Sequence, residues 1–311
     1  MKEIAMTGAR STVSALQLGA TLYMPALRED AIDFISGARI PELKSVVLCL
    51  EDAIRDDQVE QAIHQLGRTL NAMSLHRNSS VLTFIRPRNP EMLARLMRMR
   101  SIDWVDGFVL PKITASTLDR WTESLNSTNH LIMPTVETEE AFDPAEMKRL
   151  RDKLQTMRDR VLAIRIGGND LLSCLGARRS RSRTLYEGPL GPVIASLVGT
   201  FIPYGFSMSS PVLEMFANLE LLREELDRDL EHGLIAKTAI HPSQIETIHA
   251  AYRVSPEDLE DARRILAADA AAVFKSHGAM CEPQTHRTWA THIIERAEHY
   301  GVTEAALRAV A

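Results

Sequence analysis

Short aliphatic runs alternate with longer stretches of helical periodicity along most of this chain, and no other feature limits its possible folds as tightly. The alternation is that of parallel strands joined by helices. Candidate strands begin near Thr21, Ser45, Val81, Gly107, Leu131, Val161, Tyr204 and Leu234. Several are nearly all apolar, as strands covered on both faces should be. Helices are expected over residues 55–73, 90–99, 139–157 and 212–232. Eight such repeats in about 240 residues fit a (β/α)8 barrel, whose functional groups sit on loops at the carboxyl ends of the strands.

The barrel is expected to occupy residues 1–254. Beyond it, in Val254-Ser255-Pro256-Glu257-Asp258, Ser255 can cap a helix with Pro256 in its first turn. The chain then reads as helical and alanine-rich through Phe274, breaks over 278–283, and ends in a helix around 286–300. This helical extension, residues 255–311, is too short for an independent enzyme domain and should pack on the barrel or on a neighbouring subunit.

Composition sets wide bounds. A chain of 311 residues with 45% hydrophobic content can bury a full core, as one barrel or as two smaller domains. A net charge of −5 gives no support for nucleic-acid binding. Met1-Lys2-Glu3-Ile4 lacks the sections of a signal peptide, and no apolar run approaches the roughly 20 residues of a membrane span. A cytoplasmic protein that engages no membrane is the expectation. Cys49, Cys174 and Cys281 are far apart and form no CxxC pair, which argues for packing roles.

Against that frame, two acidic residues stand out. Glu137 closes the apolar run Leu131-Ile132-Met133-Pro134-Thr135-Val136, and Asp170 follows the run from Val161 to Asn169. Adjacent parallel strands lie about 5 Å apart. Carboxylates leaving their carboxyl ends can therefore reach one hard cation, with water and substrate oxygens completing its shell. Placement at a helix start is the plainer explanation for either residue alone.

The ordered set Leu22-Tyr23-Met24-Pro25-Ala26, Leu50-Glu51-Asp52-Ala53-Ile54, Phe84-Ile85-Arg86-Pro87-Arg88-Asn89-Pro90, Asp106-Gly107-Phe108-Val109-Leu110-Pro111-Lys112, Val136-Glu137-Thr138, Gly168-Asn169-Asp170-Leu171 and Lys237-Thr238-Ala239-Ile240-His241-Pro242-Ser243-Gln244-Ile245 resembles the citrate-lyase β-subunit-like branch of the HpcH/HpaI aldolase superfamily. The resemblance runs over residues 21–266. It implies a TIM barrel that uses Mg2+ to cleave or form a carbon–carbon bond in a hydroxy acid or hydroxyacyl substrate, often a coenzyme A thioester. It further implies a homo-oligomer, trimeric or hexameric. Glu137 and Asp170 match the family's metal-binding positions. Arg86 matches an arginine that binds a substrate carboxylate or carbonyl oxygen, a role suited to a planar, permanently charged fork. An internal ion pair with Glu51 is the competing reading, and Arg88 competes for the substrate because the spacing around Pro87 departs from the family's. Glu51 and Asp52 match an acidic pair that supports the metal-bound water and the arginine. Lys112 either stabilises an anion or pairs with Glu137. His241 reads as an orienting or packed imidazole, and His64 and His76 as solvated.

The departures from the family cluster after Asp170. Arg178-Arg179-Ser180-Arg181-Ser182-Arg183 is strongly basic and is expected on the active face. There Arg179, Arg181 and Arg183 can clamp a phosphate or several carboxylates, or simply form a solvated loop. With residues 203–216 and 285–290, this stretch resembles a divergent branch of TIM-barrel carbon–carbon bond lyases, which puts a coenzyme A substrate in question. The expected activity is a magnesium-dependent retro-aldol or Claisen-type lyase. The proton acceptor is open among a metal-held water, Glu51 and an acidic residue such as Glu282 from another subunit. Alternatives are an acyl-thioester hydrolase, a phosphoenolpyruvate-type transferase, and a non-catalytic sensor of a phosphorylated metabolite.

Overall fold

The computed structural model describes residues 13–304 apart from Arg77 and Ser79, so the Met1-Lys2-Glu3-Ile4 segment lies outside the described residues. Eight parallel strands close a barrel in chain order. They are β1 (Ala20–Pro25), β2 (Ser45–Cys49), β3 (Leu82–Arg86), β4 (Gly107–Leu110), β5 (Leu131–Val136), β6 (Ile164–Ile166), β7 (Met208–Ser210) and β8 (Ala236–Ala239). β8 pairs with β1 through Ala20↔Lys237 and Thr21↔Thr238, which closes the ring.

Alternation along each strand sorts side chains into two cores. Val46, Leu48, Ile85, Phe108, Ile132 and Ile164 face the surrounding helices. Val47, Leu82, Phe84, Val109, Met133, Ala163 and Ala236 fill the interior. The helix Val59–His76 shows the matching pattern on its side, burying Ala62, Ile63, Leu66, Thr69, Leu70 and Met73 at the i, i+3, i+4 spacing of one apolar stripe. No helix among the described residues is long and apolar enough to cross a membrane.

Several boundaries differ from the expected ones for local reasons. The stretch 139–157 splits into a 3-10 turn, Glu139–Phe142, and an α-helix, Pro144–Gln155. Asp143, preceding proline, is held extended and caps the helix by accepting from the Ala145 N–H at 2.8 Å. β7 starts at Met208 and not near Tyr204, because Ile202–Tyr204 forms a 3-10 turn closed by Gly205 at φ +83. The expected helix over 212–232 is shortened to Leu219–Glu231, capped by Asn218, whose side-chain oxygen accepts from Leu221 N–H at 3.1 Å. Residues 211–218 become a loop that the Gln244 amide pins by donating to the Leu213 carbonyl at 2.9 Å.

The expectation of helix through Phe274 is corrected. The helix Pro256–Leu266, capped by Ser255, ends there, and β9 (Phe274–Ser276) pairs antiparallel with β10 (Ala279–Cys281). His277 and Gly278, at φ 43 and 84, make the tight turn between them. The last helix, Pro283–Tyr300, packs with Pro256–Leu266 around Val254, Ala262, Ile265, Cys281, Ala290 and Ile293. Its end reaches the amino-terminal side of the barrel. Tyr300 donates its hydroxyl to the Leu16 carbonyl, and Lys44 Nζ donates to the His299 carbonyl at 3.3 Å. The opposite end of the barrel is left open.

Candidate active site

A cavity of about 570 Å3 occupies that open, carboxyl end. The rule that builds the inner core also builds its floor. On β3, Leu82 and Phe84 belong to the interior and Arg86 is the next inward position; on β5, Met133 is followed inward by Thr135 and then Glu137; on β6, Ala163 is followed by Arg165. Each strand is apolar at depth and polar where it surfaces. Tyr23, Cys49, Arg86, Thr135, Glu137, Arg165, Asp170 and Thr238 all line the cavity.

Arg86 lies at the centre of the charges. Its Nη2 is 2.8 Å from Glu137 Oε1, 3.0 Å from Glu51 Oε2 and 3.9 Å from Asp52 Oδ2. Burial works against its charge, but Glu137, Tyr23 and Glu51 outweigh it and hold Arg86 more firmly protonated than an ordinary arginine. Lys112 Nζ bonds Glu51 Oε1 at 2.8 Å, while the Lys112 backbone N–H donates to Glu137 Oε1 at 2.9 Å. That second bond requires Lys112 at φ 52, a left-handed conformation that a side chain disfavours by ~1–2 kcal/mol. Strain of this kind persists where surrounding contacts over-determine it. The expected ion pair of Lys112 with Glu137 is corrected: its ammonium pairs with Glu51, and Glu137 meets only its main-chain N–H.

The carboxylates differ in their ease of ionisation. Burial pushes Glu137 up to about 7, with the Asp170 charge adding to the rise and Arg86 opposing it. Burial, followed by the neighbouring Glu51, pushes Asp52 up to about 6. Glu51 is also buried, but bonds from Asp52, Arg86 and Lys112 outweigh burial and hold it below the ordinary carboxylate range. Burial raises the thiol of the cavity-lining Cys49, which disfavours its thiolate.

A hard divalent cation fits this donor set. The Asp170 charge adds to the cost of ionising Glu137, a repulsion that a cation between them would remove. Gly167 supplies the room: a Cβ there would stand 2.4 Å from the Cβ and Oε2 of Glu137. No group of three or more His, Cys, Asp or Glu forms a metal cage among the described residues. Two carboxylates with open positions suit magnesium, which keeps waters and takes substrate oxygens. Arg86 Nε and Thr135 Oγ1 are buried with no hydrogen-bond partner among the described residues, so the floor offers polar groups that an oxygen-rich ligand would satisfy.

Other sequence candidates lie elsewhere. Arg88 clamps the loop after β2, donating to the carbonyls of Leu50 at 2.9 Å and of Ile54 and pairing with Asp56. It is not a cavity residue. The expected anion clamp is redirected as well. Arg179 is sealed against Glu225 and the Val212 carbonyl, in a buried network where Lys237 Nζ meets Glu225 at 3.0 Å and Asp229 at 2.8 Å. Arg179 is buried outside the lining of the cavity, so it does not meet a ligand bound there. Arg181 and Arg183 are exposed, and neither lines the cavity. His241 stacks on Phe216 with ring centroids 4.6 Å apart, and His64 and His76 are exposed. Arg165 was the residue that motif reasoning passed over. Its signal was present, as the one charged side chain inside the run Val161-Leu162-Ala163-Ile164-Arg165-Ile166.

Comparison with known proteins agrees with this geometry. Residues 12–302 match the family model described as C–C bond lyase of the TIM-barrel fold. A (3S)-malyl-CoA thioesterase of Cereibacter sphaeroides is 23% identical over 247 residues, which are 79% of this chain and 81% of that protein. Among solved structures, the protein CitE of Mycobacterium tuberculosis, in complex with magnesium, acetoacetate and coenzyme A, superposes with a TM-score of 0.66 at 24% identity, covering 90% of this chain and 98% of that one. A citrate lyase of Burkholderia xenovorans reaches a TM-score of 0.70 at 18% identity over 95% and 98% of the two chains. The chain belongs to the TIM-barrel C–C bond lyase family.

Proposed function

We propose that this member of the C–C bond lyase family is a magnesium-dependent enzyme that cleaves or forms a carbon–carbon bond in a hydroxy acid or its acyl thioester, by retro-aldol or Claisen-type chemistry. The observation that carries the reading is Arg86 held between Glu51 and Glu137, facing a cavity that also contains Asp170. The magnesium in the M. tuberculosis CitE complex supports the choice of metal.

Glu137 and Asp170 would hold the cation. When bound, it supplies positive charge beside the reacting oxygens and lowers the energy of an enolate. Arg86 orients the substrate's carboxylate or carbonyl oxygen, with its unpartnered Nε available for a charge-assisted bond. Glu51 fixes both Arg86 and Lys112, so its role is to position them. Asp52 lines the cavity, and with a pKa near 6 it is ionised at neutral pH yet basic enough to take a proton. It accepts the substrate's hydroxyl proton as the carbon–carbon bond breaks. The hydroxyl carbon becomes a carbonyl, the bonding electrons pass to the departing enolate, and Asp52 returns the proton to the enolate carbon.

Hydrolysis of an acyl thioester is the second reading, supported by the name of the Cereibacter relatives. A sensor that captures ligands through residues 178–183 loses its support, because Arg179 is committed to Glu225 and the exposed arginines do not line the cavity. Incubation with magnesium and a panel of hydroxyacyl coenzyme A thioesters and free hydroxy acids, read by mass spectrometry, separates the readings. Two carbon fragments identify the lyase, and free coenzyme A with an intact hydroxy acid identifies the hydrolase. Turnover that persists in EDTA would overturn the metal assignment. In a parallel titration, Glu137→Gln and Asp170→Asn should each lose magnesium binding while remaining folded.

A further inference from the structure

We propose that Arg165, flanked by the hydroxyls of Thr135, Ser209 and Thr238, forms a second anion subsite in the floor of the cavity, so that the substrate carries two acidic groups, one at Arg86 and one at Arg165. The inference rests on the cavity being the substrate site and goes on to specify the substrate's class.

Four cationic side chains are buried among the described residues: Arg86, Arg165, Arg179 and Lys237. Three have carboxylates. Arg86 bonds Glu137 at 2.8 Å, Lys237 bonds Asp229 at 2.8 Å, and Arg179 bonds Glu225. Arg165 is 2% exposed and forms no ion pair among the described residues. Its guanidinium donates to the Thr238 hydroxyl, approaches Met133 Sδ at 4.0 Å, and lies 5.0 Å from the centre of the Tyr23 ring. A buried cation with no carboxylate in contact, Glu137 acting on it only through space, is an unfavourable arrangement that a ligand carboxylate would relieve.

The neighbours of Arg165 give independent support. Its register partners are Thr135 on β5 and Ser209 on β7. Both hydroxyls are buried and neither finds a hydrogen-bond partner among the described residues. A fork of N–H donors between two unsatisfied hydroxyls is the environment that a carboxylate satisfies, since each of its oxygens accepts more than one bond. Thr135, Arg165 and Thr238 line the same cavity as Arg86 and Glu137. Along β5, Thr135 is one inward step below Glu137, or roughly 7 Å of strand. The second acidic group therefore sits deeper than the reacting end, and a short dicarboxylate is the class that spans the two levels.

Calorimetric titration of unreactive acids at saturating magnesium tests this without any turnover. The probes are malonate, succinate and glutarate, with acetate, propionate and butyrate as single-acid counterparts and inorganic phosphate as a different anion. Wild-type protein should bind the best diacid at least about tenfold more tightly than its single-acid counterpart. Arg165→Met should abolish that preference and leave magnesium affinity unchanged. Arg165→Lys, which keeps charge without the fork, should retain part of it. Phosphate binding that depends on Arg165, with no diacid preference, would assign the subsite to a phosphorylated substrate and overturn the dicarboxylate. Equal affinity for diacids and single acids in the wild type, or an unchanged preference in Arg165→Met, would overturn the subsite. Diacid preference without carbon–carbon cleavage of any substrate would count against the lyase reading alone.

Discussion

Replacing Gly167 by alanine tests the site through geometry, since it adds one methyl group and changes no charge. Gly167 has φ −87 and ψ 79, a backbone available to alanine, so the effect comes from contact and not from strain. The added Cβ would lie 2.4 Å from both the Cβ and the Oε2 of Glu137, whereas ordinary contact begins at 3.4 Å. Glu137 must retreat by about 1 Å. It cannot do so freely, because Oε1 accepts from Lys112 N–H at 2.9 Å and from Arg86 at 2.8 Å. Overpacking of this kind destabilises by about 1–3 kcal/mol, a drop of roughly 2–5 °C in Tm for a chain of this size. Displacing a carboxylate that holds a metal by ~1 Å should weaken magnesium binding by tenfold or more and lower turnover by about a hundredfold. Gly199→Ala is the matched control, because its Cβ would meet nothing within 4 Å on the helix Leu190–Phe201 and should stabilise by roughly 0.5–1 kcal/mol. Calorimetry with magnesium and thermal melts read both variants. Wild-type magnesium affinity and melting temperature in Gly167→Ala would refute the placement of Glu137 on which the metal site depends.

Arg86→Lys keeps the charge but cannot engage Glu51, Glu137 and a substrate oxygen together; turnover should fall by about 10²-fold or more, with magnesium affinity changed far less, and equal losses in both would refute a substrate-binding role. His249, whose Nε2 accepts from Ala20 N–H at 3.2 Å, is pushed down to about 4 by burial, with Lys44 adding to the shift. A folded value below the unfolded one of about 6.5 means that the unfolded chain binds the proton first, so this contribution to stability is complete above pH 6.5 and is lost as pH falls towards 4. The loss is at most about 3 kcal/mol; urea midpoints at descending pH should show it in the wild type, and an identical profile in His249→Gln would rule it out.

Much of the architecture was legible because strand and helix periods differ. The early strands, which carry runs such as Ser45-Val46-Val47-Leu48-Cys49, begin within a residue of their expected positions. β6 and β7 are only Ile164–Ile166 and Met208–Ser210, and short strands preceded by turns leave a weak period. The helix Leu190–Phe201 was missed because its sequence, Leu190-Gly191-Pro192-Val193-Ile194-Ala195-Ser196-Leu197-Val198-Gly199-Thr200-Phe201, is apolar nearly all round. Cavity placement was legible where a residue ends a strand, as Arg86 does, or directly follows one, as Glu137 does. It failed for Arg179, because the sequence shows a cluster of arginines but not the buried Glu225 that one of them meets on a helix 46 residues later.

Arg165 also makes a prediction about stability that separates a structural from a functional origin. If the barrel needed this guanidinium for folding, it would carry a carboxylate partner, as the buried Arg179 and Lys237 do. It has Thr238, the Tyr23 ring and two hydroxyls that find no partner among the described residues. Burial pushes its pKa down, the sign of a charge held at a cost to the fold. The strand neighbours Ile164 and Ile166 already anchor β6 to the helical layer, so the inward position between them is free to serve the cavity. Apolar replacement of a buried ionic group is often neutral or stabilising. Arg165→Met should therefore raise the ligand-free stability by roughly 1–3 kcal/mol, seen as a higher urea midpoint at an unchanged m-value. The same substitution should lose the extra stabilisation that a bound diacid confers on the wild type. A variant that unfolds at markedly lower urea than the wild type would show that Arg165 holds the barrel together, and the unpaired charge would then need a structural explanation.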